Sequence, residues 1–179
     1  MTENIYPWYD IVDGNTPLQQ GDFIKNCPIV LAPPKMAVSE KVDIVEADVQ
    51  PYDVIIMSQS CDILEEKIDL VLVCPYYPMS IVAANNDFFK SKEGKESLRR
   101  GNNPGYHLLN KPTIGNFEAD LLVVDYRSVF SVPLTFIIQL AKTRGNRLRL
   151  LPPYREHLSQ AFARFFMRVG LPVDIPPFK

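Results

Sequence analysis

Residues 54–62 read Val54-Ile55-Ile56-Met57-Ser58-Gln59-Ser60-Cys61-Asp62. The first four are a continuous, largely β-branched apolar run, the pattern of a strand buried on both faces. The remainder is polar and compact, with Ser60 or Asp62 able to cap a single helical turn. The stretch therefore predicts a buried strand that delivers a group of polar side chains at its end, where a rigid scaffold can present a site. Leu70-Val71-Leu72-Val73-Cys74 repeats the apolar pattern and stops at Pro75, and Leu121-Leu122-Val123-Val124 is a third such run.

Weaker strand signals surround these three. Gln20-Gly21-Asp22-Phe23-Ile24 reads as a turn entering a strand, and Ile29-Val30-Leu31-Ala32 is an apolar run halted by Pro33-Pro34. Val42–Val49 alternates, Tyr106–Leu109 and Arg147–Leu150 are short strands, and Arg127–Val132 alternates again. Residues 84–101 read as a charged helix with Asn86 or Asp87 as N-cap and Gly101 as its end. Pro133 opens a helix to Lys142, and Pro152-Pro153 opens an amphipathic one over Tyr154–Val169, with Leu158, Phe162, Phe165, Phe166 and Val169 on one face. The expected fold is α+β, a small, strongly bent antiparallel sheet or SH3-like β-barrel with a helical insertion and a C-terminal amphipathic helix. The expected division is an irregular N-terminal arm at 1–20, a barrel domain at 21–150 with the insertion at about 84–101, and a helix with a proline-rich tail at 151–179.

Composition agrees. Sixteen prolines against eight glycines in 179 residues exclude a chain built mainly of long helices. The 46% hydrophobic and 22% charged residues exclude global disorder. No apolar run reaches the roughly 18 residues of a membrane-spanning helix, and no secretory leader is legible, so a cytoplasmic location without membrane contact is expected. The net charge of −2 conceals an asymmetry: residues 1–70 carry 13 acids against 4 bases, and residues 141–179 carry 2 acids against 8 bases. Such a basic tail either neutralises the acidic front or faces a polyanion.

Gly-rich phosphate loops, nucleophile elbows and zinc-protease signatures are all missing from the sequence. Three cysteines and two histidines cannot easily furnish a closed zinc site, so neither metal nor cofactor is expected. The densest polar group is Ser58-Gln59-Ser60-Cys61-Asp62. Cys61 is the candidate nucleophile, His107 its candidate base and Asp62 the group that would orient the imidazole. The bland alternative is an inert Cys61 and an Asp62 that caps a turn. Ser58, Gln59 and Ser60 are candidate binding residues. Arg147 and Arg149 stand out in the basic cluster, since Arg favours bidentate contact with phosphate, and Tyr126 and Tyr154 could stack bases beside it.

The order of these pieces resembles the MazF/PemK-like toxin barrel. The resemblance rests on Gly21-Asp22-Phe23-Ile24, on Tyr52-Asp53-Val54-Ile55-Ile56-Met57-Ser58, on Val71–Tyr77, and on Val123-Val124-Asp125-Tyr126-Arg127-Ser128-Val129, over roughly residues 20–140. It implies an SH3-like barrel and a toxin-like or defence-associated bacterial protein that binds or cleaves RNA. The positions of the family's catalytic Arg and Thr hold Tyr52 and Tyr77, neither of which supplies the positive charge that stabilises a pentavalent phosphate. The Ser-Gln-Ser-Cys-Asp segment is also similar to a stretch of uncharacterised bacterial proteins. The expected groove uses Ser58, Gln59, Cys61, Asp62 and His107, with Arg147 and Arg149 on the phosphates. Two other functions remain open: an interaction module that docks a protein partner or a second copy through the barrel or the Phe-rich helix, and a cysteine-dependent enzyme using Cys61, His107 and Asp62.

Overall fold

The apolar run at 54–57 lies where three strands of one sheet meet. The computed structural model describes residues 6–34, 46–117 and 119–167. Its strands are β1 (Tyr9–Val12), β2 (Phe23–Leu31), β3 (Asp48–Ile56), β4 (Leu70–Pro78), β5 (Tyr106–Leu109), β6 (Leu122–Asp125), β7 (Phe130–Pro133) and β8 (Arg147–Leu150). Its helices are α1 (Ser60–Leu64), α2 (Met79–Asn85), α3 (Lys92–Arg99), α4 (Leu134–Arg144) and α5 (Tyr154–Phe166). The fold is α+β. Six strands form one sheet along the path β2-β3-β4-β6-β5, with β7 also paired to β4, and every ladder is antiparallel.

The bend of the sheet lies in β4. Leu70–Val73 pairs with β7, whereas Tyr76–Pro78 pairs with β6. Pro75, which has no N–H to donate to a ladder, sits between the two pairings. The path ends at β2 and β5, so the sheet is bent and open rather than a closed barrel. Val42–Val45, Val169, the residues after it and the proline tail lie outside the described residues.

Both faces of β3 are buried at Val54–Ile56, as the unbroken apolar run predicts, whereas Leu70 and Leu72 of β4 leave one face open. Phe23, Ile55 and Cys74 face one cluster with Tyr126, Leu150 and Leu158, while Ile24, Val54, Ile56 and Val73 face a second with Ile137 and Ala141 of α4. The alternation of neighbours between clusters is the period of two that a pleated strand imposes. A third cluster, with Phe89, Leu98 and Val123, lies under the insertion.

The structure differs from the sequence reading in two places. Tyr9–Val12 is a strand rather than irregular, because Tyr9 pairs with Leu150 and Val12 with Arg147. The charged helix begins at its expected cap, Asn86, but as a 3-10 turn at Asp87–Lys90 that is broken from α3, while α2 precedes it. The Asn86 side chain accepts from the Phe88 N–H, and the Ser91 hydroxyl accepts from the Gly94 N–H, so each polar side chain starts a new element. Gly94 permits this junction: a Cβ there would lie 1.9 Å from the Phe88 carbonyl oxygen.

Candidate functional site

The polar segment after β3 is held mainly by structural hydrogen bonds. Ser58 Oγ accepts from the Leu72 N–H at 2.8 Å, Ser60 Oγ accepts from the Gln20 N–H at 3.1 Å, and Gln59 Nε2 donates to Ser159 Oγ at 3.1 Å. Gln59, not Ser60 or Asp62, occupies the N-cap of α1, and its side chain makes no cap bond. Cys61 is exposed, with its sulfur 3.6 Å from Asp62 Oδ1, so the group beside the thiol is a carboxylate rather than an imidazole. Gln59, Ser60 and Cys61 line a polar cavity of about 300 Å³ with Gln20 and with Arg155, Ser159 and Gln160 of α5.

His107 lines a different cavity. It lies on β5 opposite Val124, its ring 6.1 Å from that of Tyr126. The cleft there, about 380 Å³, runs between α3, β5 and α5 and includes Arg99, Arg100, Tyr106, His157 and Arg164. Gln160 is the one residue that lines both cavities. The structure therefore brings Cys61 and Asp62 together and places His107 apart from them, so the nucleophile, base and orienting acid expected from the sequence do not share one cavity.

The two arginines expected on phosphate are internal. Asp22 is fully buried, and Arg147 and Arg149 are only 3% and 8% exposed. Arg147 Nε donates to Asp22 Oδ2 at 2.8 Å, and Arg149 donates to both Asp22 oxygens. Their remaining donors reach the carbonyls of Asp13, Thr16 and Pro17. Arg147 and Arg149 thus fix the loop before β2 rather than a surface. The tyrosines expected to stack bases are likewise engaged within the fold. Tyr126 is completely buried with its hydroxyl donating to the Leu158 carbonyl at 3.0 Å, and Tyr154 stacks on Trp8 with ring centroids 3.6 Å apart.

What remains at the surface is the cleft. Arg99 and Arg100 both pair with Glu96, through bonds of 2.6 to 2.9 Å, leaving one positive charge in excess at that helix end. Arg164 adds a third guanidinium from α5, with no ion pair among the described residues. On the other side of Tyr106, the Arg127 guanidinium lies 4.3 Å from its ring centre and forks onto Asp125. The sequence reading missed this arrangement, because Arg99 and Arg100 lie on the insertion and Arg164 on the last helix. Their only early signal is basic residues near the ends of two separate helices.

The cleft has a pH signature. Burial, and secondarily the charge of His157, lowers the His107 pKa from 6.5 to about 4. The unfolded chain takes up that proton near 6.5 and the folded chain only near 4, so between these values the unfolded state binds more protons. Stability should fall as pH drops from about 6.5 to about 4, and this contribution should be flat on either side. Urea midpoints across that window check it: the slope should shrink in His107→Gln, and an unchanged slope would contradict the assignment.

Among the described residues no helix is long and apolar enough to cross a membrane, and no cluster of three His, Cys, Asp or Glu could hold a metal ion. No protein-family model matches this chain, and no curated protein matches it significantly.

Proposed function

We propose that this protein binds RNA in the cleft between α3, β5 and α5, in the toxin-like or defence-associated cytoplasmic role that the resemblance to MazF/PemK-like barrels implies. The observation that carries the reading is the convergence of Arg99, Arg100 and Arg164 on one open cleft that also contains Tyr106, His107 and His157. Guanidinium groups suit phosphate oxygens, and the exposed ring of His157 beside them suits a base of a single strand. A further support is charge balance: one carboxylate, Glu96, answers the two arginines of α3 and none is paired with Arg164.

The test is fluorescence anisotropy of the full chain with a labelled single-stranded RNA. Contact with about three phosphates predicts a slope of log affinity against log salt of about −2. Arg164→Glu should weaken binding at least about tenfold at roughly 50 mM salt and make the slope shallower. No binding at that salt, or an unchanged affinity in Arg164→Glu, overturns the reading.

A further inference from the structure

A second cavity, about 130 Å³, opens beside the β2–β3 ladder and shares no lining residue with the arginine cleft. Strand periodicity builds it. The sheet face that buries Phe23 and Ile55 continues two residues along β2 to Lys25 and two residues back along β3 to Asp53. Tyr76 of β4 completes the polar set, and Phe23, Phe117 and Leu122 supply apolar wall. Beyond Ile24 the ladder is interrupted by a bulge that holds Lys25 and Asn26, with Asn26 at φ 50° and its N–H held by Asp53 Oδ1 at 2.9 Å.

Among the described residues the three polar groups have unused capacity. Lys25 and Asp53 line the same cavity without forming an ion pair, and the Lys25 ammonium sits 5.6 Å from the Phe117 ring centre. Asp53 commits one oxygen to Asn26, and its other has no partner among the described residues. Tyr76 is 7% exposed, its ring 4.9 Å from that of Phe23, and its hydroxyl has no hydrogen-bond partner among the described residues. Burial first, then Asp53 and Tyr9, raise its pKa, so it remains a donor. A mostly apolar cavity with a few convergent polar groups is the usual form of a small-ligand site.

We propose that this cavity binds one planar ring with an acceptor–donor–acceptor edge, the imide edge of uracil. Lys25 and Tyr76 donate to the two ring carbonyls, Asp53 accepts from the ring N–H, and the aromatic walls pack on the ring faces. Size supports a single ring, since a cavity of roughly 150 Å³ takes one benzene. Cytosine turns a bare ring nitrogen and an amino group to the same edge, which leaves Asp53 facing an acceptor. Two sources offer such a ring, the free base and a base of an RNA strand, and only the second rests on the RNA reading above.

The experiment is an NMR titration of the full chain, following the methyl groups of Leu122 and Leu148, which line the cavity. Uracil should shift them saturably with a Kd of about 1 mM, an ordinary affinity for so small a ligand, and cytosine should bind roughly tenfold more weakly. Asp53→Asn, which still accepts from Asn26, should reduce that preference to about twofold, and Tyr76→Phe should weaken uracil about tenfold. An absence of saturable shifts, or equal shifts by uracil and cytosine, overturns the proposal. If the ring belongs to RNA, oligouridine binds more tightly than uracil and Arg164→Glu removes only that gain. If the ring is free, oligouridine binds no more tightly than uracil. Failure of the arginine cleft leaves the uracil result standing, so the two readings fail separately.

Discussion

Asp22→Ala should destabilise the protein by about 3–5 kcal/mol, the cost of leaving buried charge uncompensated. Asp22 is the sole carboxylate among the described residues bonded to Arg147 and Arg149, and all three side chains lie inside the fold. Removing it leaves two guanidinium groups with backbone carbonyls as their only partners among the described residues. At roughly 2–4 °C per kcal/mol for a chain of this size, the melting temperature should fall by roughly 10 °C. Chemical and thermal denaturation check this, and a loss below about 1 kcal/mol would show that the cluster is not a structural anchor. Removing all three charges together, as in Asp22→Leu with Arg147→Met and Arg149→Met, should recover much of the loss, because the penalty belongs to the unpaired charge.

Leu158→Ala is the second large effect. Leu158 is completely buried in the same cluster as Tyr126, and its carbonyl accepts the Tyr126 hydroxyl. Phe162 and Phe165 pack against that cluster too, so the apolar face of α5 covers the protein's own sheet. Truncation of a buried leucine costs about 2–5 kcal/mol, depending on how far the site collapses. A second readout separates loosening of α5 from a general loss of stability. His107 lies against Tyr126 beneath this helix, and burial is what holds its pKa at about 4. In Leu158→Ala the His107 titration, followed by NMR, should move up toward the ordinary 6.5. A normal urea midpoint, or an unmoved titration in a destabilised variant, would contradict this account of how α5 is docked.

The strands that were legible in the sequence are the unbroken apolar runs, whether both faces are buried, as at Val54–Met57, or one face stays open, as at Leu70 and Leu72. Val54–Met57 and Leu70–Cys74 need no partner to declare themselves, since an unbroken β-branched run fits few other environments. The start of α5 was equally clear from Pro152-Pro153 and the spacing of Leu158, Phe162 and Phe165. Tyr9–Val12 was opaque because Tyr-Asp-Ile-Val is half polar and its pairing lies with residues 147–150. The insertion misled because charged side chains suit one continuous helix from the cap at Asn86, whereas a second cap at Ser91 breaks it.

The polar group Ser58–Asp62 was placed correctly at the end of a buried strand, but which cavity each side chain enters is decided by α5, about a hundred residues later. Charge was the least informative signal. Arg147 and Arg164 look alike in the sequence, yet one is buried against Asp22 and the other stands in an open cleft. What separates them is strand alternation and a partner near the start of the chain, neither of which a local reading supplies.

The pairing of β1 with β8 has a consequence for the order of events during synthesis. The chain leaves the ribosome N-terminus first, and domains complete as units. Asp22 therefore waits without its arginines until residue 149 has emerged. Tyr9 likewise has no strand to join before Leu150 arrives. Contacts of such sequence separation form slowly, because a long loop must close before they repay its entropy. The last strand thus works as a latch that closes on the first, and a nascent chain short of β8 has its sheet but neither its N-terminal strand pairing nor the neutralised acid at its centre.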